Sequence, residues 1–243
     1  MPILRWEPAP LDTVQRDVPW WGVVSSATTA VLLFAGWTVA AAVQAHPYDP
    51  VRQTVSVLAA HGASDRWLMT LAFLIVGGCH VITGLALRPA ARLGRIILIA
   101  GGLAGVLVGL NPETIGAGGS WRHLLSAAAG FVALTIWPLA ATRRPREPGE
   151  PGQHREPSQP REPGQVPWAL RLRVGAAASV VTLALFAWFT AELLGDGSQL
   201  GLAERALGEA QALWPLIVVL SCLASASRSR EAAIEAEVSP GKS

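Results

Sequence analysis

Apolar residues along this chain come in six long blocks, separated by polar stretches. The blocks run Trp20 to Val43, Trp67 to Leu87, roughly Leu93 to Leu110, Trp121 to Ala141, roughly Trp168 to Ala191 and roughly Leu207 to Ala226. A helix rising about 1.5 Å per residue covers, over such a block, the roughly 30 Å hydrocarbon core of a bilayer. The pattern predicts an all-α, polytopic membrane bundle of six transmembrane helices. Trp20, Trp21, Trp67, Trp121 and Trp168 open spans, as expected of amphipathic rings at headgroup level. The first block is too long for a cleavable signal peptide, and a mixture of acids and arginines precedes it rather than a basic run.

Composition narrows the class. The 243 residues are 51% hydrophobic and 15% charged, with a mean hydropathy of +0.38, where a soluble domain carries about 25% charged residues. That excludes a soluble enzyme, a disordered chain and a disulfide scaffold. A formal net charge of +2 leaves no electrostatic footprint for a nucleic acid. Cys79 and Cys222 lie inside apolar blocks without metal or disulfide spacing, so neither metal nor cofactor is expected. Placing the N-terminus in the cytoplasm puts 15 of the 19 Lys and Arg on the inner side, leaving Arg52, Arg66, Arg122 and Arg205 outside. The expected location is the bacterial plasma membrane, with both termini cytoplasmic. Eighteen arginines to one lysine also suggest a GC-rich bacterial genome.

The expected organisation is a cytoplasmic segment (1–19), four spans (20–141), a tether (142–167), two spans (168–226) and a cytoplasmic tail (227–243). The tether repeats Arg-Glu-Pro at 146, 155 and 161. Its prolines and lack of apolar residues predict a solvated, extended segment. In the tail, 230–238 can form a short surface helix. Gly101, Gly105 and Gly109 fall on one face of the third span and predict close helix packing there. Pro138 and Pro215 predict kinks. His80 lies deep in the second span; it reads more simply as a neutral histidine bonded to a Ser, Thr or backbone carbonyl than as a proton relay.

The remaining chemistry gathers at the outer ends of the spans. Asp49 before Pro50, with Val51, Val55 and Leu58 at helical spacing and Gly62 as a stop, predicts a short amphipathic helix over 50–60. Around it stand His46, Asp49, Arg52 and Ser56, then Glu113, His123, Glu192, Asp196, Glu204 and Arg205. Carboxylates with histidine can do acid–base work, and Ser56 with His123 and Glu113 or Asp49 has the residue types of a nucleophile, base and acid. His46, Arg52, Glu204 and Arg205 are candidate ligand-binding residues, with arginine suited to an anion. No spacing motif joins them, and the plainer expectation is a rim of ion pairs around one outward-opening depression.

Val55-Ser56-Val57-Leu58-Ala59-Ala60, Asn111-Pro112-Glu113, His123, Gly201-Leu202-Ala203-Glu204-Arg205 and Trp214 together resemble the six-helix prokaryotic membrane family called domain of unknown function 998. The resemblance covers most of 20–226. Ala59 stands where that family usually has glycine, and Glu113 near its usual aspartate. It implies a six-helix fold and no particular activity. The reading that follows is a module binding membrane lipids or a membrane protein partner through a polar site at its outer face. The alternative is an enzyme working at the outer headgroup level. A small proton-linked transporter comes third, because matched broken helices and several buried ionisable residues are missing.

Overall fold

The computed structural model describes residues 18–114, 120–143 and 166–238. The N-terminal segment, all but the ends of the Arg-Glu-Pro tether and the last five residues lie outside the described residues. Among the described residues are six α-helices: α1 (Trp20–Ala42), α2 (Trp67–Ala86), α3 (Arg92–Leu110), α4 (Trp121–Ala140), α5 (Leu172–Leu194) and α6 (Leu200–Val238). All six are long and apolar enough to cross a membrane, so the all-helical, multi-pass architecture expected from the pattern is the one observed.

The helices touch in chain order, and α6 returns to α1, closing a ring of alternating up and down segments. Their outer faces are apolar: Val31, Phe34, Leu103, Leu125, Val180 and Leu194 stand exposed. In water such a skin would aggregate; in lipid it is the favourable surface. Trp20, Trp67 and Trp121 are exposed at the starts of α1, α2 and α4, while Trp168, also exposed, lies in a 3₁₀ turn (Trp168–Leu170) ahead of α5, which starts at Leu172 rather than at Trp168.

Where helices must approach closely, the chain supplies glycine. A Cβ added at Gly77 would lie 2.6 Å from the Gly102 carbonyl oxygen, and one at Gly102 equally close to that of Gly77. The tightest α2–α3 crossing therefore uses Gly102, a neighbour of the predicted Gly101–Gly105–Gly109 face. Gly101 packs closely on Leu134 of α4, and Gly109 on Phe73 and Leu74 of α2, whereas Gly105 borders the hollow centre of the ring. Pro138 lies inside α4; just beyond it the Leu139 N–H donates to Ser179 Oγ of α5 (3.1 Å).

At one end of the ring Arg95 donates to the Gly84 and Leu85 carbonyls (both 2.9 Å), and Arg143 to that of Ala90 (3.0 Å). Arg95 thereby caps carbonyls at the end of α2 that the helix itself leaves open, and Arg143 holds the loop that follows it. The opposite end, here termed the mouth, gathers the 43–66 loop, the segment after α3 and the α5–α6 turn. A hydrogen bond from His61 N to the Glu113 carbonyl (2.8 Å) ties the first two together.

Three expectations are corrected. The helix expected over 50–60 is one turn at Asp49–Gln53 followed by a 3₁₀ turn, Val55–Ala59, with Thr54 extended between them. Its first-turn carbonyls serve α6 instead of a helical ladder: Val51 O accepts from Leu202 N (3.0 Å), and Pro50 O from Arg205 (2.8 Å). The sixth helix starts at Leu200 rather than Leu207, because these loop contacts satisfy its charged first turns. The tail helix is not separate either: α6 runs unbroken to Val238.

Candidate functional site at the mouth and the cavity beneath it

The start of α6 is built to hold the first loop. Gly201 packs directly against the Gln53 and Pro50 carbonyls, where any side chain would collide. One turn on, Arg205 donates to the carbonyls of Pro50 (2.8 Å), Gln53 (3.1 Å) and Gly201 (2.8 Å), and to Tyr48 Oη. Its guanidinium lies 5.8 Å from the Trp37 ring and 5.6 Å from the Tyr48 ring, within cation–π range. Burial pushes the Tyr48 phenol above its ordinary range, and the Arg205 charge opposes this without overcoming it. Arg205 is thus a structural clamp whose two terminal nitrogens are both engaged on the loop and on α6.

Glu204 faces the other way. It is buried and accepts a hydrogen bond from the Val55 N–H. That bond takes from the 50–60 segment an N–H that an α-helix would need, a second reason why only a 3₁₀ turn forms. Ser56, the next residue, is buried beside it.

His123 is 3% exposed and tied on both nitrogens. Nδ1 lies 2.9 Å from the Asn111 carbonyl oxygen. A carbonyl can only accept, so Nδ1 carries the hydrogen. Nε2 lies 3.0 Å from Glu113 Oε1, and one further proton shared between these atoms completes the pair. The Ser120 hydroxyl caps the His123 N–H (3.3 Å) and fixes the start of α4. Because both ring nitrogens are engaged, no nitrogen remains to activate Ser56. The serine–histidine–carboxylate grouping considered from residue types is not assembled.

Asp49, Arg52, Glu113, His123, Glu204 and Arg205, expected around one depression, separate into layers. Glu113 with His123, and Glu204, lie within electrostatic reach of one another. Asp49 and Arg52 form an exposed pair at 3.9 Å on the rim, where Asp49 Oδ1 also accepts the Val51 N–H (2.9 Å). His46 is exposed nearby. Glu192 accepts the Gln199 N–H (2.8 Å) across the α5–α6 turn. Asp196 holds its carboxyl below the usual range because the Ser198 N–H donates to it.

Beneath the 3₁₀ turn is a cavity of about 120 Å³ inside the ring, lined by α1, α2, α3, α4 and α6. Ser56 and Glu204 border its mouth end; His80 and Gln211 lie deeper; Trp37, Phe73 and Phe131 contribute aromatic wall. Glycines create the space. A Cβ at Gly105, Gly130 or Gly208 would meet its nearest neighbour only at 3.6, 3.5 and 3.7 Å. Gln211, which the sequence reading passed over, is 2% exposed. Its amide donates to the Phe131 carbonyl (3.0 Å) and Thr135 Oγ1 (3.1 Å), fastening α6 to α4. An amide halfway along an apolar span was the available signal. His80 is the histidine expected to bond a backbone carbonyl: Nδ1 lies 3.0 Å from Val76 O, while Nε2 has no partner.

A family model described as "protein of unknown function (DUF998)" matches residues 28–221. No curated protein and no solved structure matches the chain.

Proposed function

The chain belongs to the DUF998 family of proteins of unknown function, and on that premise we propose that it is a membrane module which binds a single amphiphile. The apolar part enters the central cavity, and the polar part rests at the mouth against Ser56 and Glu204. The Arg distribution orients that mouth to the outside of a bacterial plasma membrane, with both termini cytoplasmic. The observation that carries the reading is the cavity itself: a mainly apolar hollow in a ring of spans, kept open by glycines, with polar groups at one end. Interiors normally close such voids, since each lining atom forfeits dispersion contacts. A ligand restores them.

The test is native mass spectrometry of the protein released from a mild detergent. The expected spectrum contains a one-to-one adduct with a co-purifying amphiphile, and Gly208→Leu lacks it. A spectrum of bare protein only, unchanged when bacterial lipid extract is added back, would contradict the proposal.

The pairing of buried His123 with the partly exposed Glu113 supports a second reading, acid–base catalysis on a lipid headgroup at the outer face. There His123→Gln should abolish turnover of a lipid that the variant still binds.

A further inference from the structure

We infer that the ligand of this cavity presents a primary ammonium group to Glu204. The inference rests on the amphiphile-binding reading and names the chemistry of its polar end.

Among the described residues no lysine or arginine lines the cavity. The nearest cation in sequence, Arg205, is outside the lining and turns its two terminal nitrogens to Pro50, Gln53, Gly201 and Tyr48. Glu113 and His123 satisfy one another. Glu204 therefore brings a carboxylate to the cavity with one backbone N–H as its hydrogen-bond donor. The other polar groups have the same character. Gln211 has used its amide hydrogens on Phe131 and Thr135, which leaves Oε1 as an acceptor. The Ser126 hydroxyl donates to the Arg122 carbonyl (2.8 Å) and keeps only lone pairs. His80 donates through Nδ1 to Val76, so its unpartnered Nε2 is an acceptor as well, in a side chain 4% exposed. Ser56 alone among them has a hydroxyl without such a commitment.

A mainly apolar cavity whose few polar groups are mostly acceptors, bordered by the Glu204 carboxyl and walled by Trp37, Phe73 and Phe131, selects a cationic donor. An ammonium group gives Glu204 a charge-assisted hydrogen bond and finds favourable aromatic faces beside it. A carboxylate or phosphate there meets the Glu204 carboxyl as a second acid, and a neutral alcohol offers it a hydrogen bond without charge assistance. From Glu204 down to Gln211 is seven residues of helix, about 10 Å, which is the depth available to an attached apolar chain.

The probes are octylamine, octanol and octanoate, three polar ends on one chain, added to the purified full chain in detergent micelles. Octylamine should raise the melting temperature at a concentration about tenfold or more below that needed with octanol, the size of one charge-assisted hydrogen bond. Octanoate should have no effect. In Glu204→Gln, whose amide oxygen can still accept the Val55 N–H, the amine preference should vanish while octanol binding stays. Retention of phosphatidylethanolamine over phosphatidylglycerol in native spectra would make the amine a lipid headgroup; octylamine binding without that retention would make it a free amine. If octanol or octanoate stabilises the wild type as well as octylamine does, the inference fails while amphiphile binding stands. If none of the three stabilises it, the amphiphile reading fails with it. The wild-type ranking holds whether or not Glu204→Gln inserts.

Discussion

At the scale of single residues, the mouth is governed by which hydrogen-bonding atoms are already taken. His123 has no free nitrogen, Arg205 is committed to loop carbonyls, and Glu204 retains acceptor capacity. Residue types alone could not show this, because His, Glu and Ser at these positions also fit a catalytic group. The distinction lies in atoms contributed by the backbone: Asn111 O, Pro50 O, Gln53 O and Val55 N. The His123–Glu113 pair should also hold the fold. His123→Gln or Glu113→Gln is expected to lower unfolding stability in detergent, and a double-mutant cycle should return a coupling of about 1.5–3 kcal/mol, as for a hydrogen bond to a charged group. A coupling near zero would mean that the two side chains are solvated independently.

At the scale of elements, the spans were legible because a bilayer demands long apolar blocks, and the starts of α1, α2 and α4 fall at Trp20, Trp67 and Trp121 as expected. The segment 50–60 was not legible. Its local pattern of Val51, Val55 and Leu58 fits an amphipathic helix, but α6, some 150 positions later, claims its carbonyls and the Val55 N–H. The same long-range contacts hid the true start of α6. Glycine spacing located close packing at Gly101 and Gly109 but not the tightest crossing, at Gly102, since a repeat of four cannot say which neighbouring stripe meets which partner. The two stripes should separate cleanly. Gly102→Ala forces a Cβ to within 2.9 Å of Gly77 O, His80 Cβ and Val81 N, and is expected to cost about 1–3 kcal/mol by overpacking. Gly105→Ala meets only the Gly77 Cα, at 3.6 Å, and should be close to neutral. Thermal melting of the two variants in one detergent checks the contrast.

For the whole molecule, the closed ring accounts for both the fold and the hollow. Each helix contacts its sequence neighbours, so no span fills the centre, and the 3₁₀ turn at the mouth covers one end. Orientation can be read directly by labelling. Cysteine at Ser198 should react with an impermeant thiol reagent on intact cells, and cysteine at Ser158 in the tether should not; labelling at Ser158 would invert the topology drawn from the arginines.

The central claim, that the hollow is a binding site rather than a packing defect, is tested most directly by filling it. Gly208 is the place, because its nearest neighbour would be Leu33 Cδ2 at 3.7 Å from a new Cβ. The account predicts that Gly208→Ala keeps the co-purifying adduct in native spectra, whereas Gly208→Leu loses it and melts at or above the wild-type temperature, the new side chain restoring the contacts the ligand had made. An adduct that persists undiminished in Gly208→Leu would place the ligand elsewhere and contradict the account.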